Sequence, residues 1–357
     1  MLSWKHLLIL AVTFTSHLVF AKDLQAILQM QAQDRIDSIQ TSTKAPSLSI
    51  AAAKHGKLLF AVTSGMANKS AGIHATPETE YRTGSIAKVI GTTAFMKLVE
   101  QKKVKLDESI RTYLNYLPSH YDKPTIKHLM THTGGVRHYN WGEYGTNTHY
   151  QTLENATKVF AADQLRFEPG TDYQYSTYGI NLIQGVIEKV TNKPLNDFMN
   201  DTLFTPLAMT GTSLEIKGNS DKNYATGYRS FLTNTPVKEI DVSNKYIGGG
   251  MRSTPTDLVK MVSAIEFDDY LTHQTKQLML SAPYKEVAID RALGWRLMEY
   301  QGAKAYGHGG AVNGFESLLV HFIEEEITIA VMVNQDDYDF TSSTLYEMYH
   351  LITKSKL

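Results

Sequence analysis

Strand patterns at both ends of the chain enclose a long helical middle, and this order constrains the fold most strongly. Two apolar segments, 47–53 and 57–62, surround a turn at His55-Gly56. Four further strand patterns follow near the C-terminus, at residues 292–300, 303–308, 315–323 and 327–333. The simplest architecture joins both groups in one sheet. We therefore predict an α+β fold, an antiparallel sheet flanked by terminal helices, with an inserted, mainly helical lobe.

Helical periodicity places the remaining elements. Strong patterns cover residues 23–39, 85–100, 180–191, 194–204 and 255–265, and weaker ones cover 107–117 and 125–130. Thr254 and Pro255 suit the start of one helix, and Thr344 with Glu347 predicts a capping box for a closing helix. The α/β lobe is expected at about 22–90 and 290–357, and the helical lobe at about 91–289.

Residues 1–21 have the composition of a bacterial signal peptide, which leaves one domain over residues 22–357. Lys5 supplies a basic start, residues 7–20 form a short apolar stretch, and Ala21 is a small residue at the cleavage position. An uncleaved anchor is the alternative, although the stretch falls short of the roughly 20 residues that span a bilayer. We expect a periplasmic or secreted protein with no stable membrane span after signal cleavage.

Composition argues against several classes of function. The 35 basic residues balance 36 acidic ones, and the short basic run at residues 101–105 fits a solvated helix end. We therefore expect no nucleic-acid partner. The chain has no cysteine, which removes disulfides, thiolate metal sites and a cysteine nucleophile.

Ser85 and Lys88 form the only Ser-x-x-Lys in the chain, in the first turn of the helix pattern over 85–100. A spacing of three puts both side chains on one helical face. A serine hydroxyl needs an adjacent base, and lysine can serve when burial lowers its pKa. The helix N-terminus also favours a developing anion. The alternative is an N-cap serine beside a solvated lysine.

A tyrosine-rich cluster, residues 173–179, directly precedes the helix pattern over 180–191. Tyr175 could reach into a cleft and pass a proton between Ser85 and a leaving group. A phenol pKa lowered beside Lys88 would make Tyr175 a base. The alternative is an aromatic packing residue, because the chain contains 20 tyrosines.

A glycine-rich cluster, residues 306–315, lies where a strand is expected to run along a sheet edge. Gly309 and Gly310 would let a substrate approach the backbone closely. An exposed strand edge there would offer N–H groups for an oxyanion hole, where each donor contributes about 3 kcal/mol. The alternative is a glycine-rich bulge or hairpin.

Taken together, the three clusters resemble the signatures of the serine β-lactamase and penicillin-recognising superfamily, in the same order along the chain. Residues 125–135, 248–254 and 313–315 also resemble its branch of class C β-lactamases and DD-carboxypeptidases. The resemblance covers roughly residues 45–335. It implies a serine hydrolase that needs no metal or cofactor and works by acylation and then hydrolysis by water.

The resemblance also implies residue roles. Ser85 would be the acylated nucleophile, Lys88 its proton acceptor and Tyr175 the proton shuttle. The backbone N–H groups of Ser85 and Ala311 would form the oxyanion hole. Substrate contacts are implied for Thr177, His308, Gly309, Gly310 and Asn313.

Two positions depart from the pattern of the superfamily. Thr177 stands where asparagine is usual, and its hydroxyl is shorter than an amide that both donates and accepts. His308 stands where many relatives carry lysine, and its reference pKa of about 6.5 leaves it often uncharged at neutral pH. Both departures argue against an efficient β-lactamase and towards a peptidase or esterase.

Other histidines and aromatic residues give weaker signals. His128 and His132 have the spacing of a zinc motif, but Leu129 replaces the glutamate that such a site requires. A metallohydrolase is therefore a minor alternative. An aromatic loop with His138, Tyr139, Trp141 and Tyr144 could either line the cleft or only pack against the protein.

The function hypothesis is an exported serine hydrolase acting on peptide, amide or ester substrates, of DD-peptidase or esterase type, with weak β-lactamase activity possible. Peptidoglycan-derived peptides are plausible substrates from the expected compartment. The alternative from another class is a catalytically silent module that binds cell-wall fragments, which Thr177 motivates.

Overall fold

The computed structural model describes residues 4–216, 223–229, 235–288, 290–336 and 341–355, with side chains from residue 24 onwards. The helices are α1 (Trp4–Thr43), α2 (Ile86–Glu100), α3 (Ile110–Tyr113), α4 (Ile126–Met130), α5 (Leu153–Thr157), α6 (Thr177–Thr191), α7 (Leu195–Met199), α8 (Tyr246–Gly249), α9 (Pro255–Phe267), α10 (His273–Leu280) and α11 (Thr341–Lys354). A 3₁₀ turn and a π-helical turn lie at Ser119–Asp122 and Asn200–Phe204.

The strands form two sheets. Their bounds are β1 (Ser47–Lys54), β2 (Lys57–Asn68), β3 (Ile73–His74), β4 (Tyr81–Arg82), β5 (Ser213–Leu214), β6 (Met251–Ser253), β7 (Arg296–Tyr300), β8 (Ala303–Val312), β9 (Phe315–Phe322) and β10 (Ile327–Val333). The large sheet has the order β3-β2-β1-β10-β9-β8-β7, and the small one has the order β4-β6-β5.

The N- and C-terminal strands meet in the middle of the large sheet, as the sequence predicts. Strands β1 and β10 are antiparallel, with Leu48 opposite Val333. All the other pairs in this sheet are antiparallel too. The α+β fold with one antiparallel sheet is therefore confirmed.

Strand alternation buries both faces of this sheet. Ile329 on β10 belongs to a core cluster with Leu345 of α11, and α1 packs on the same face. Met332, on the opposite side of β10, belongs to a second cluster with Phe95 of α2 and Leu258 of α9. Because successive side chains of a strand point to opposite faces, one strand serves both cores. Helix α2, which carries Lys88 in its first turn, is thereby fixed against the sheet.

Several elements differ from their predicted bounds. Strand β8 continues to Val312, four residues beyond the predicted end, and α6 begins at Thr177 rather than Ile180. The small sheet was not predicted, because strands of two or three residues carry no readable alternation. The Thr344 capping box is wrong: α11 already begins at Thr341, so Thr344 lies inside the helix and is buried.

The N-terminal helix α1 runs from Trp4 to Thr43 and therefore overlaps the predicted signal peptide, residues 1–21. Signal cleavage and the lobe boundaries remain predictions. Within the part of the chain that the structure describes, no helix is both long and apolar enough to cross a bilayer.

We expect Ile329→Ala to lower the free energy of unfolding by about 2 to 5 kcal/mol, because it leaves a cavity between β10 and the terminal helices. Urea unfolding followed by circular dichroism measures this change. Ile323→Ala is the matched control, because Ile323 is 46% exposed just after β9. Its effect should stay within about 0.5 kcal/mol; equal losses for both variants would contradict the packing described above.

Candidate active site

The candidate nucleophile lies in a tight turn between β4 and α2. Gly84 has a positive φ of 51°, a conformation that favours glycine. Ser85 occupies the N-cap position of α2, yet its side chain makes no capping hydrogen bond. The hydroxyl instead accepts hydrogen bonds from Lys88 Nζ at 3.0 Å and Tyr175 OH at 2.8 Å. The alternative of a simple N-cap beside a solvated lysine does not fit this geometry.

Lys88 is fully buried and its ammonium group meets three acceptors. They are Ser85 Oγ, Thr177 Oγ1 at 3.2 Å and the carbonyl oxygen of Gly248. An ammonium group has three N–H donors, so all three are matched. In the neutral amine, two N–H groups can keep Thr177 and Gly248 while the lone pair faces Ser85.

Burial lowers the pKa of Lys88 to about 7. Among the residues that the structure describes, no carboxylate pairs with the desolvated ammonium. Hydrogen bonds to neutral oxygens do not replace all of the stabilisation that water gives to the charge. A large fraction of Lys88 is therefore neutral near pH 7 and can accept a proton. A lysine can act as a base only if its pKa is lowered, and the burial of Lys88 lowers it.

Tyr175 lies beside Ser85 as predicted, but its expected acidity is wrong. Burial raises the pKa of Tyr175 to about 12, although the hydrogen bond with Ser85 and the nearby Arg291 act in the opposite direction. Desolvation of a phenolate outweighs nearby cations here. Tyr175 is therefore a neutral phenol that donates to Ser85, and the depressed-pKa base is excluded.

The edge of β8 lies against the turn that carries Gly84 and Ser85, which is the nucleophile turn of the proposed site. Strand β7 pairs with β8 only as far as Gly307, so β8 has an open edge beyond that residue, where Gly309 and Ala311 are exposed. A Cβ on Gly310 would lie 2.1 Å from Thr83 O, and one on Gly84 would lie 2.7 Å from Ala311 N. The structure thus brings the predicted oxyanion donors, the backbones of Ser85 and Ala311, to one place. The cluster is regular strand up to Val312 and then forms the β8–β9 hairpin turn at Asn313 and Gly314, so the hairpin alternative is correct for its last part.

His308 is buried in the same wall and is neutral. Burial, assisted by the charge of Lys88, lowers the pKa of His308 to about 3. Its Nδ1 pairs with Gly309 O at 2.6 Å, which makes Nδ1 the protonated nitrogen. The other nitrogen, Nε2, is buried and has no hydrogen-bond partner among the described residues. This direction agrees with the uncharged state expected from the sequence.

The other two substrate-binding candidates have partners within the protein. Thr177 is buried at the first position of α6, and its hydroxyl accepts from Lys88. Asn313 lies in the β8–β9 turn, donating through Nδ2 to Lys238 O at 2.6 Å and through its backbone to Tyr144 OH at 3.1 Å. Thr177 therefore orients Lys88 in this structure, and substrate contacts at both positions remain predictions.

His128 and His132 have separate structural roles. His128 Nδ1 accepts from the backbone of Thr125 at 3.1 Å and the ring stacks on Tyr284. His132 Nδ1 accepts from Ser176 N at 3.2 Å, and its ring lies 4.4 Å from that of Tyr175. Among the described ranges, no group of three potential ligands is placed to hold a metal. His132 thus supports the segment that carries Tyr175.

Sequence reasoning missed several groups that surround this centre. Lys245 is buried and lies over the rings of Tyr139 and Tyr144, and Arg291 lies 6.0 Å from the ring centre of Tyr175. The carbonyl of Gly248 completes the surroundings of Lys88. No periodicity or spacing marks such groups, because each reaches the site only through tertiary packing. The stretch 248–254 was noticed only through the family resemblance.

Known proteins are similar to this chain over most of its length. Residues 32–349 match the family model described as Beta-lactamase. Protein flp of Staphylococcus aureus (strain MRSA252) is 25% identical over 283 residues, which are 77% of this chain and 54% of that protein. Penicillin-binding protein 4* of Bacillus subtilis (strain 168) is 22% identical over 326 residues, 85% of this chain and 71% of that protein. The chain therefore spans about half the length of Protein flp.

Solved structures share the fold. The octameric penicillin-binding protein homologue from Pyrococcus abyssi superposes with a TM-score of 0.78 at 25% identity, covering 91% of this chain and 77% of its own. The D-amino acid amidase from Ochrobactrum anthropi SV3, in complex with D-phenylalanine, gives 0.77 at 22% identity, covering 92% and 99%. The latter likeness establishes the fold alone.

The fold is that of the serine β-lactamase and penicillin-binding protein superfamily. Since the family match extends over most of the chain, the protein belongs to the Beta-lactamase family.

Gly310→Ala should destabilise the protein by about 1 to 3 kcal/mol, because the added methyl group would collide with the backbone of Thr83. Gly309→Ala is the matched control, since the nearest atom to its Cβ would be 3.8 Å away. Thermal unfolding of both variants compares them. A loss for Gly309→Ala as large as that for Gly310→Ala would contradict the close approach of β8 to the nucleophile turn.

Proposed function

We propose that the protein is a serine hydrolase that acts through a covalent acyl-enzyme on peptide, amide or ester substrates. One observation carries the proposal: Ser85 Oγ lies within hydrogen-bond reach of both a buried lysine, at 3.0 Å, and a buried tyrosine, at 2.8 Å. Nucleophile and base in contact are the requirement for activating a serine hydroxyl.

In the acylation step, neutral Lys88 takes the proton of Ser85 as Oγ bonds to the substrate carbonyl carbon. The carbonyl oxygen becomes an oxyanion, which the N–H groups of Ser85 and Ala311 stabilise. As the tetrahedral intermediate collapses, the bond to the leaving group breaks. Tyr175 gives its proton to the leaving group, and the Lys88 ammonium returns a proton to the Tyr175 oxygen. The acyl group remains on Ser85.

Deacylation repeats these steps with water as the nucleophile. Water loses a proton to neutral Lys88 or through Tyr175, and its oxygen bonds to the acyl carbon. The ester bond to Ser85 then breaks, and Ser85 Oγ recovers the proton. The net reaction adds one water across the scissile bond. Thr177 and Gly248 keep the Lys88 side chain in position during both acylation and deacylation.

His308 adds no positive charge to the wall around the leaving group. His308 is uncharged, with its Nδ1–H already engaged by Gly309 O, so it offers no cation to an anionic substrate group. This supports an esterase, or a peptidase whose substrate carries no carboxylate next to the scissile bond, over an efficient β-lactamase. Export to the periplasm or medium, and with it peptidoglycan-derived peptides as substrates, is part of the proposal and rests on residues 1–21.

A fluorophosphonate probe should add to the purified protein with a stoichiometry of one, and peptide mapping should place the adduct on Ser85. Ser85→Ala should give no adduct. Release of nitrophenol from nitrophenyl acetate, with Ser85→Ala as the blank, provides the turnover readout. An unlabelled wild type that also fails to turn over the ester would indicate the catalytically silent binding module instead.

The kcat/KM for a neutral ester should rise with pH and level off above the Lys88 pKa of about 7, because only the neutral amine accepts the Ser85 proton. It should not fall again until the phenol of Tyr175 ionises near its pKa of about 12. Lys88→Ala should cost about 10²- to 10⁴-fold. Thr177→Ala, which removes only an acceptor of Lys88, should cost about tenfold or less. Equal losses would show that the roles are misassigned.

Penicillin should acylate Ser85 more slowly than a neutral ester does, and the ratio of the two rates should stay constant between about pH 5 and about pH 8, because His308 remains neutral throughout this range. His308→Lys should raise the ratio about tenfold by introducing a cation. A wild-type ratio that climbs strongly towards pH 5 would mean that His308 protonates and binds the carboxylate.

A further inference from the structure

We propose that Trp141 and Tyr144 form an aromatic rim that selects substrates carrying an aromatic or large apolar group on the acyl portion. The inference rests on the proposed function and specifies its substrate class. It is carried by the placement of one loop, residues 138–144, which starts beside Tyr175 and ends beside the β8–β9 turn.

An ion pair with a buried guanidinium joins the residue before this loop to Glu143 near its end. Arg137 is buried and donates to both carboxylate oxygens of Glu143, at 2.7 and 3.0 Å. Glu143 also accepts from the backbone of Asn140 at 2.7 Å. His138 then contacts the catalytic segment, because its Nδ1 accepts from Thr177 N at 3.2 Å and its ring meets that of Tyr175 edge-on at 5.6 Å.

The far end of the loop is fixed by Lys245 and Asn313. Lys245 is buried, donates to the carbonyl oxygen of Tyr144 at 2.7 Å and lies 4.6 Å from the centre of its ring. The backbone N–H of Asn313 donates to Tyr144 OH at 3.1 Å. The loop is therefore anchored at both ends.

Trp141 lies between these anchors and contacts nothing that shields it, with an exposed fraction of 101%, while Tyr144 is 40% exposed. A single exposed aromatic ring elsewhere on a surface would have no special meaning. Here the two rings belong to a loop anchored beside Tyr175 at one end and beside Asn313 at the other, so its backbone is already ordered in the free protein. Tyr139 packs edge-on against Tyr144 at 5.6 Å and against Tyr178 at 4.9 Å.

The strand edge indicates which part of the substrate reaches the rim. Tyr175, which protonates the leaving group, lies near His308, with 6.2 Å between ring centres. Tyr144 contacts Asn313 instead. Asn313 lies five residues after His308 in the chain, beyond the oxyanion donor Ala311. At about 3.3 Å per strand residue, that is roughly 15 Å from the leaving-group side. A substrate with its carbonyl at Ala311 therefore directs its acyl portion towards Tyr144 and Trp141.

Two nitrophenyl esters with the same leaving group test the proposal: the acetate and the 4-phenylbutyrate. For the wild type we expect a higher kcat/KM with the phenylbutyrate. Trp141→Ala should reduce kcat/KM for the phenylbutyrate about tenfold, the factor that corresponds to about 1.4 kcal/mol of lost contact. The same variant should leave the value for the acetate within about twofold, and Trp141→Phe should restore most of the phenylbutyrate activity.

Phe267→Ala is the matched control, because it removes a partly exposed ring that packs on Gly56 in the β1–β2 turn. It should leave the ratio of the two esters unchanged. A Trp141→Ala variant that changes neither ester, or both equally, overturns the rim while leaving the proposed function intact. A wild type that turns over neither ester overturns both.

A binding experiment separates recognition from chemistry. In Ser85→Ala, which cannot be acylated, 4-phenylbutyramide should shift the tryptophan emission to shorter wavelength as the Trp141 indole leaves water. Of the other two tryptophans, Trp295 is already buried and Trp4 lies in the predicted signal peptide. Acetamide at the same concentrations should not shift it. An identical response in the Ser85→Ala, Trp141→Phe double variant would overturn the assignment.

Discussion

The buried ammonium of Lys88 is the interaction on which the rest of the site depends. Lowering its pKa from 10.5 to about 7 corresponds to a cost on the order of 5 kcal/mol for the charged form. Three neutral oxygen acceptors, from Ser85, Thr177 and Gly248, compensate this cost only in part. Because the compensation is only partial, Lys88 can lose its proton and act as a base. A carboxylate in place of any of the three oxygen acceptors would keep the lysine charged.

The scaffold determines where this amine meets its partners. Helix α2 is locked against the sheet through Phe95, so the first turn of α2, with Ser85 and Lys88, is held at the sheet edge. Strand β8 approaches that turn so closely that Gly310 has no room for a side chain. The helical middle of the chain then supplies Tyr175 and Gly248. The site therefore lies where the sheet, the nucleophile helix and the inserted segment meet, a common position for binding clefts.

Sequence patterns predicted the features of the structure that depend on neighbouring residues. The spacing of Ser85 and Lys88 on one helix identified the central pair, and strand alternation identified the sheet, because both depend on residues close in sequence. The pKa of Tyr175 was predicted in the wrong direction, since burial of the phenol was not readable and Lys88 itself proved partly neutral. The position of Lys245 results from tertiary packing, which leaves no signal in the sequence.

The most direct test of this account is the pKa of the Lys88 side chain itself. Heteronuclear NMR on protein labelled with ¹⁵N at the lysine Nζ atoms, with Lys88→Arg used to assign the resonance, follows that single amine through its titration. The account predicts a midpoint near the value of about 7. A midpoint above about 9, close to that of an ordinary lysine, would contradict it, because Ser85 would then have no base at neutral pH.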